Sequence, residues 1–199
     1  MKQAERNRKG RARILSHALA EFAANGYAGS SLNLLCAHGG ISKGQLYHYY
    51  DSKDTLYLAC VQQMFDELTD YLRSEIDPAS VTVAQYFAVR MQFFRSHPAY
   101  RQLFYDILIE PPTHLSEALH ACRAAFDALN DDLLRTVLQQ ERLRPQLSME
   151  QAIQQFRVFV NFLGVYLRES PAKDSEQQSE ALLQTMLYGM TEREAPPGS

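Results

Sequence analysis

The sequence predicts an all-α fold of about nine helices, with a small N-terminal domain followed by a larger helical domain. Apolar residues recur at intervals of three and four residues through most of the 199-residue chain, which is the period of an amphipathic helix. No stretch shows the strict alternation of a half-buried strand. Prolines divide the second half of the chain into segments of helical length. The apolar content of 46% is that of a folded protein rather than a disordered one.

The first predicted element is an amphipathic helix over residues 4–25. Ile14, Ala18 and Phe22 recur at four-residue intervals and define its apolar face. Gly26 follows directly, and glycine commonly ends a helix because it tolerates a left-handed backbone. We therefore expect the first helix to stop there.

Two short helices are predicted next, separated by a turn. Ser31 is placed to cap the first of them, and the Gly39-Gly40 pair ends it. Ser42 and Gln45 have the spacing of a capping box and open the second. Two short helices joined by a glycine turn within about twenty residues form the outline of a helix-turn-helix.

The remaining elements are longer and follow one another to the C-terminal region. Asp51 and Ser52 cap a helix that runs to about Ser74. Further helices are predicted over Ser80–Ser96, Ala99–Ile109, Thr113–Arg142, Ser148–Glu169 and Asp174–Met190. Residues 192–199 are charged and contain Pro and Gly, so we expect a disordered tail there.

Charge is divided unevenly along the chain. Residues 1–53 carry eight Lys/Arg against three Asp/Glu, whereas the rest carries twelve against twenty, for a formal net charge of −3. A basic N-terminal part favours contact with nucleic acid despite the negative total. No apolar run suits a secretory signal or a membrane span. We therefore expect no contact with membranes. The three scattered cysteines indicate free thiols, which favours the reducing cytoplasm.

Residues on the second short helix have the chemistry of DNA contacts. Lys43 suits guanine acceptors, Gln45 suits adenine, and the hydroxyl of Tyr47 suits phosphate. Gln45 could instead close the capping box, and Tyr47 could be a core aromatic. A basic arm precedes the helices and is either a DNA contact or a solubilising segment. The arm residues are Arg6, Arg8, Lys9 and Arg11.

A specific string of residues carries a resemblance to a known family. It consists of Phe22-x-x-x-Gly26-Tyr27, Ser30-Ser31-Leu32 and the run Gly40-Ile41-Ser42-Lys43-Gly44-Gln45-Leu46-Tyr47-His48-Tyr49-Tyr50-Asp51-Ser52-Lys53-Asp54-x-Leu56. Over roughly residues 11 to 60 the chain resembles the TetR family of transcriptional regulators. The rest of the chain is similar to that family only in the number and length of its helices.

The resemblance implies a DNA-binding domain over residues 1–51 and a ligand-binding and dimerisation domain over 52–191. It implies that Lys43, Gly44 and Gln45 face the major groove, while other residues of the region reach base edges or phosphates. The complete set of expected DNA contacts is Ser31, Ser42, Lys43, Gly44, Gln45, Tyr47, His48, Tyr49 and Lys53.

Aromatic and aliphatic side chains crowd the helices after residue 60. They either pack tightly as a core or line an apolar ligand pocket, and the resemblance implies an inducer pocket in this region. The candidate pocket residues are Met64, Phe65, Leu68, Phe87, Met91, Phe94, Phe104, Phe126, Phe159 and Phe162. Arg90, Arg101 and His114 are candidates for holding a polar ligand group.

The last two helices have broad apolar faces that one small domain does not need. Pairing them with the same helices of a second subunit would form a four-helix interface, and the resemblance also implies a homodimer. The candidate dimer residues are Phe156, Val160, Leu163, Leu167, Leu183, Met186, Leu187 and Met190.

These observations predict a ligand-responsive DNA-binding regulator, and we expect a repressor released from a pseudo-palindromic operator by a small molecule. The alternatives are an activator of the same family, or a helical ligand-binding or enzymatic bundle with a non-functional helix-turn-helix. We expect no enzyme activity and no cofactor, because no catalytic constellation is present. His114, Glu117 and His120 spread too widely around a helix for a compact metal site, so we expect no metal.

Overall fold

The computed structural model describes residues 2–167 and 172–191, and within them it forms nine α-helices and one short 3₁₀ turn. The predicted all-α class is confirmed. The helices are α1 (Lys2–Gly29), α2 (Leu32–Gly39), α3 (Lys43–Tyr49), α4 (Lys53–Glu75), α5 (Val83–Ser96), α6 (Pro98–Ile109), α7 (Ser116–Gln139), α8 (Met149–Leu167) and α9 (Ala172–Met190). The 3₁₀ turn is Thr113–Leu115. The predicted tail at 192–199 lies outside the described residues.

The helix boundaries follow local signals in the sequence. Gly26 interrupts α1 with a φ of 65°, as its position suggests, but the chain regains helical structure as far as Gly29. Gly40 ends α2 in the left-handed region at φ 56°, a backbone conformation that favours glycine. Pro98 occupies the first position of α6, where its missing N–H leaves no bond unmade.

Contacts between residues group the chain into two compact units. The first unit holds residues up to 69 together with 94–126, and the second holds 70–93 together with the described residues from 127 onward. The predicted domain boundary between residues 51 and 52 does not coincide with the division into these units, and it stays a prediction. No helix in the described part of the chain is long and apolar enough to cross a membrane.

Candidate nucleic-acid interface

The two short helices α2 and α3 are capped by the serines that the sequence singles out. Ser31 Oγ accepts a hydrogen bond from the Leu34 N–H at 3.2 Å. Ser42 Oγ accepts one from the Gln45 N–H at 3.1 Å. Each cap satisfies one backbone donor at a helix start that has no partner inside the helix. Both helices therefore begin where the local sequence places them.

Most side chains of α3 face outward. Leu46 is the buried residue of this helix, and Tyr47 is 51% exposed. Lys43, Gln45 and His48 are exposed as well. The surface position of Tyr47 is the one that a phosphate contact requires rather than a core position. The exposed side of α3 is therefore polar, and the buried Leu46 is the apolar residue that packs this helix against the rest of the chain.

Gln45 is free to make a contact outside the chain. Its backbone N–H bonds to Ser42, but among the described residues its side-chain amide makes no return bond to the Ser42 N–H. The capping box is therefore half formed. An amide with both donors and an acceptor at the surface has the groups that pair with the N6 and N7 atoms of adenine.

Basic residues of α1 hold the turn and α3 in place. Arg11 Nε donates to the Tyr50 hydroxyl at 3.1 Å, and the Arg11 guanidinium lies 5.9 Å from the centre of the Tyr50 ring. Arg13 Nη2 donates to the carbonyls of Gly39 and Gly40 at 3.0 and 3.2 Å. A Cβ at Gly10 would lie 3.1 Å from the Tyr49 hydroxyl, so α1 and α3 approach closely there. Part of the basic arm therefore has a structural role, which its charge alone did not reveal.

The other predicted arm residues lie on the exposed surface of the same helix. Arg6, Arg8 and Lys9 are exposed, and Lys9 Nζ forms an ion pair with Glu5 at 2.9 Å. An exposed pair at this spacing contributes little to stability. The arm is a continuation of α1 rather than a separate segment, so its charges are held at fixed spacing.

Lys53 makes contacts within the chain that sequence reasoning missed. Its Nζ donates to the carbonyls of Tyr27 and Ser30 at 2.8 and 3.2 Å and lies 4.1 Å from the centre of the Tyr27 ring. These bonds satisfy backbone acceptors at and just beyond the end of α1. The contact between Lys53 and phosphate stays a prediction, and the structure adds a role in joining α1 to α4.

A second polar contact joins α1, α4 and the 3₁₀ turn. The Tyr27 hydroxyl donates to Asp54, and His114 Nε2 lies 3.1 Å from that hydroxyl and 3.4 Å from Asp54 Oδ2. Burial, followed by the neighbouring Asp54, raises the pKa of Tyr27 to about 12. No group of three or more His, Cys, Asp or Glu within the described residues could hold a metal ion.

The candidate pocket residues of the first unit pack on one another. The ring centres of Phe65 and Phe126 lie 5.5 Å apart, those of Phe94 and Phe104 5.0 Å, and those of Phe104 and Phe126 6.2 Å. Met64 and Leu68 are fully buried as well. These spacings are those of aromatic packing in a core. A role in ligand binding stays a prediction for them.

The candidate pocket residues of the second unit differ widely in exposure. Phe87 is buried, whereas Met91 and Phe159 are half-buried. Phe162 is 72% exposed, which places it on the surface of its unit rather than inside a cavity. The sequence predicts a place in the ligand pocket for all four residues because each is apolar, but the exposed fractions of their side chains differ.

The second unit contains a buried polar network around Arg90, a side chain only 2% exposed. Its Nη1 donates to the Tyr86 hydroxyl at 3.1 Å, and its Nη2 donates to Asn161 Oδ1 at 2.6 Å. The Tyr86 hydroxyl donates in turn to Asn130 Oδ1. The buried Asn130 Nδ2 has no hydrogen-bond partner among the described residues. A buried donor without a partner is costly in a folded protein, and a hydrogen-bond acceptor on a ligand could supply the missing partner.

Most of the predicted dimer residues on α8 and α9 are buried within their own unit. Phe156, Val160, Leu163, Leu183, Leu187 and Met190 are between 0% and 9% exposed. Met186 is half-buried, and the side chain of Leu167 lies outside the described residues. A side chain that is already buried in its own unit offers almost no surface to a partner.

A different apolar face on these helices is exposed. Val158 is 52% exposed and Phe162 72%, and both line a shallow groove with Phe159 and Met186. Leu182 and Tyr188 on α9 are also exposed. The exposed apolar surface of these helices is therefore centred on Phe162, and the predicted ligand contact of that residue stays a prediction.

Comparison with known proteins finds a family match in the N-terminal region. Residues 14–60 match the model of bacterial regulatory proteins of the tetR family. The chain is 27% identical over 124 residues to the negative transcriptional regulator IcaR of the icaADBC biofilm operon of Staphylococcus epidermidis. It is 29% identical over 118 residues to the transcriptional regulator RutR of Escherichia coli K12. These matches cover 62% and 57% of this chain, and 66% and 55% of the relatives.

Solved structures share the fold over nearly the whole chain. A TetR family regulator from Chloroflexus aurantiacus aligns with a TM-score of 0.73 and 24% identity, covering 94% of this chain and 95% of that one. FadR from Bacillus subtilis in complex with stearoyl-CoA aligns with a TM-score of 0.72 and 14% identity, covering 90% and 98%. At such identities the likeness shows the fold.

Proposed function

We propose that this chain, whose residues 14–60 match the TetR family of transcriptional regulators, is a homodimeric repressor whose operator binding is released by a small molecule. The observation that carries the proposal is the exposed polar surface of α3, held on Leu46 inside the region that matches the family. A repressor, rather than an enzyme, is proposed because the matched regulators control transcription. Such a protein acts on the chromosome, so the proposal places it in the cytoplasm.

We assign base contacts to Lys43 and Gln45 and phosphate contacts to Tyr47 and the basic surface of α1. The exposed side chains of α3 have the donor and acceptor groups that major-groove base edges recognise. The arginines of α1 provide charge for the phosphate backbone, where counterion release favours binding. The negative charge of the rest of the chain disfavours non-specific contact of that part with DNA.

A dimer supplies the second DNA-binding domain. One helix of seven residues contacts too few bases for a specific site, and two-fold symmetric regulators bind two half-sites at a fixed spacing. The exposed apolar face around Phe162 supports pairing between copies, since an aromatic side chain 72% exposed gains from being covered. Ligand and DNA would then favour different placements of the two domains, and each would weaken binding of the other.

The polar network of the second unit supports a ligand that carries an acceptor group. Arg90 and the unpartnered Asn130 amide are N–H donors in the interior of that unit. A carbonyl or carboxylate of the ligand would accept from them and remove the cost of the unbonded donor. Mass spectrometry under native conditions would show whether a small molecule is carried through purification.

The proposal is tested by binding of the purified chain to the promoter DNA that flanks its own gene. We expect binding that weakens steeply with salt and exceeds binding to a scrambled duplex of equal length. Absence of any salt-sensitive binding would contradict the proposal and favour a helical bundle with a non-functional helix-turn-helix. An operator that lies upstream of the promoter elements, with transcription increased by the protein, would instead identify an activator.

A further inference from the structure

We propose that a pocket in the first unit, formed by α1, α4 and α6, binds a small organic anion with an apolar body and that this ligand competes directly with DNA. The cavity has a volume of about 360 Å³. From here it is called the α1 pocket, and its lining residues are Arg8, Arg11, Ala12, Leu15, Ser16, Leu19, Cys60, Gln63 and Tyr100. The volume is within the range of small-molecule sites, roughly 300–1,000 Å³.

The charge of the α1 pocket comes from one part of one helix. Arg8 and Arg11 are the only charged residues in its lining, and Arg8 is exposed. Arg11 uses Nε to bond Tyr50, so its terminal amino groups remain for another acceptor. Two guanidinium groups without a carboxylate beside them in the lining favour an anion, because each offers paired donors to carboxylate or phosphate oxygens.

The rest of the α1 wall suits an apolar body. Leu15 and Leu19 follow the arginines along the helix, with Ala12 and Ser16 as the small residues that leave space. A rise of about 1.5 Å per residue puts Leu19 roughly 16 Å from Arg8 along the axis. The pocket is therefore charged near the N-terminal part of α1 and apolar farther along, which matches an amphipathic acid rather than a free inorganic ion.

The facing wall is neutral and can donate or accept hydrogen bonds. Burial raises the pKa of the Cys60 thiol to about 12, so this side chain stays uncharged. Burial and the neighbouring Glu67 raise the pKa of the Tyr100 hydroxyl. Gln63 Nε2 donates to that hydroxyl at 3.0 Å. Glu67 Oε1 accepts from the same Gln63 amide at 2.8 Å, but Glu67 is exposed and is not itself a lining residue of the pocket.

Competition with DNA follows from the position of the arginines and rests on the proposed function. Arg8 and Arg11 belong to the stretch of α1 to which we assign phosphate contacts. A carboxylate bound to their guanidinium groups would occupy the donors that a DNA phosphate needs. The effect of each ligand on the other is reciprocal. This mechanism is separate from a ligand in the second unit, since all lining residues lie in the first unit.

Calorimetric titration of the full chain with octanoate, in the absence of DNA, tests the site itself. Octanol is the neutral control of the same length. Ser16→Phe fills the pocket from an exposed position, and Ala24→Phe adds the same bulk on α1 outside the lining. We expect octanoate to bind the native chain and Ala24→Phe alike, and to bind Ser16→Phe and Arg8→Ala at least about tenfold more weakly.

Equal octanoate binding by Ser16→Phe and Ala24→Phe would overturn the site, as would equal binding of octanoate and octanol. Thermal unfolding of each variant checks that the fold is retained, and both residues replaced by Phe are exposed. Competition is then measured by operator binding with and without octanoate. Octanoate that binds but leaves operator affinity unchanged would overturn the competition, whereas failure of the native chain to bind any DNA would contradict the proposed function and leave the octanoate result standing.

Discussion

The exposed faces of α3 and α8 differ in chemical character, and their functions are therefore inferred from different observations. On α3 the exposed residues are polar, with Tyr47 51% exposed and Leu46 as the buried anchor. On α8 two of the exposed residues are apolar, Val158 at 52% and Phe162 at 72%, and they lie beside the exposed Gln151, Gln154 and Gln155. A polar exposed face is typical of any surface helix, so its role is inferred from the surrounding motif. A contiguous exposed apolar patch is the kind of surface that a partner covers, so the role of the α8 face is inferred from its exposure.

The largest effect is expected from a charge placed on the α8 face. Phe162→Asp should raise the dimer dissociation constant by about 30-fold or more, because a buried charge replaces a central aromatic contact. Sedimentation velocity over a range of concentrations measures it. Leu34→Asp is the control, since Leu34 is also an exposed apolar residue, 43% exposed, but lies on α2. A Phe162→Asp chain that dimerises like the native chain would show that α8 is not the interface.

The next effect concerns the polar face of α3. Lys43→Ala and Gln45→Ala should each lower discrimination between operator and scrambled DNA by about 1–3 kcal/mol, because each removes a base contact. Fluorescence anisotropy with both duplexes at two salt concentrations measures it. An equal loss on operator and scrambled DNA would assign these side chains to phosphate contacts instead.

A comparable loss, in stability rather than in DNA binding, is expected from one tyrosine hydroxyl. Tyr86→Phe should lower the free energy of unfolding by about 1–3 kcal/mol, since Arg90 and Asn130 each lose a buried hydrogen bond. Urea denaturation measures it. Tyr47→Phe removes the same atom from the exposed face of α3 and should leave stability within about 0.5 kcal/mol. Similar losses in both variants would mean that the buried network contributes nothing specific.

The smallest effect separates two roles of Lys53. Lys53→Ala should lower the free energy of unfolding by about 1 kcal/mol, because the Tyr27 and Ser30 carbonyls lose a donor. Operator and scrambled DNA should both bind more weakly if Lys53 also contacts phosphate. Lys43→Ala is the stability control, as its side chain is exposed on α3. Unchanged unfolding in Lys53→Ala would rule out the structural role.

Local signals were sufficient for the DNA-binding region. Serine caps, the glycine turn and a single apolar anchor act over three or four residues, so the roles of Ser31, Ser42 and Gly40 follow from the amino-acid sequence alone. The bonds of Arg13 and Lys53 could not be placed this way, because their partners lie 26 and 27, or 26 and 23, residues away. A basic residue in the sequence does not show whether it faces phosphate or a carbonyl of its own chain.

Periodicity in the sequence therefore determined the helices, their order and the polar surface of α3, since those depend on neighbours along the chain. Only the tertiary structure decided which apolar side chains are used in the protein's own core. Phe156 and Phe162 both lie on α8, yet one is fully buried and the other 72% exposed. The difference arises from what packs against each side of the helix. The spacing of residues within one helix does not show which other elements pack against it.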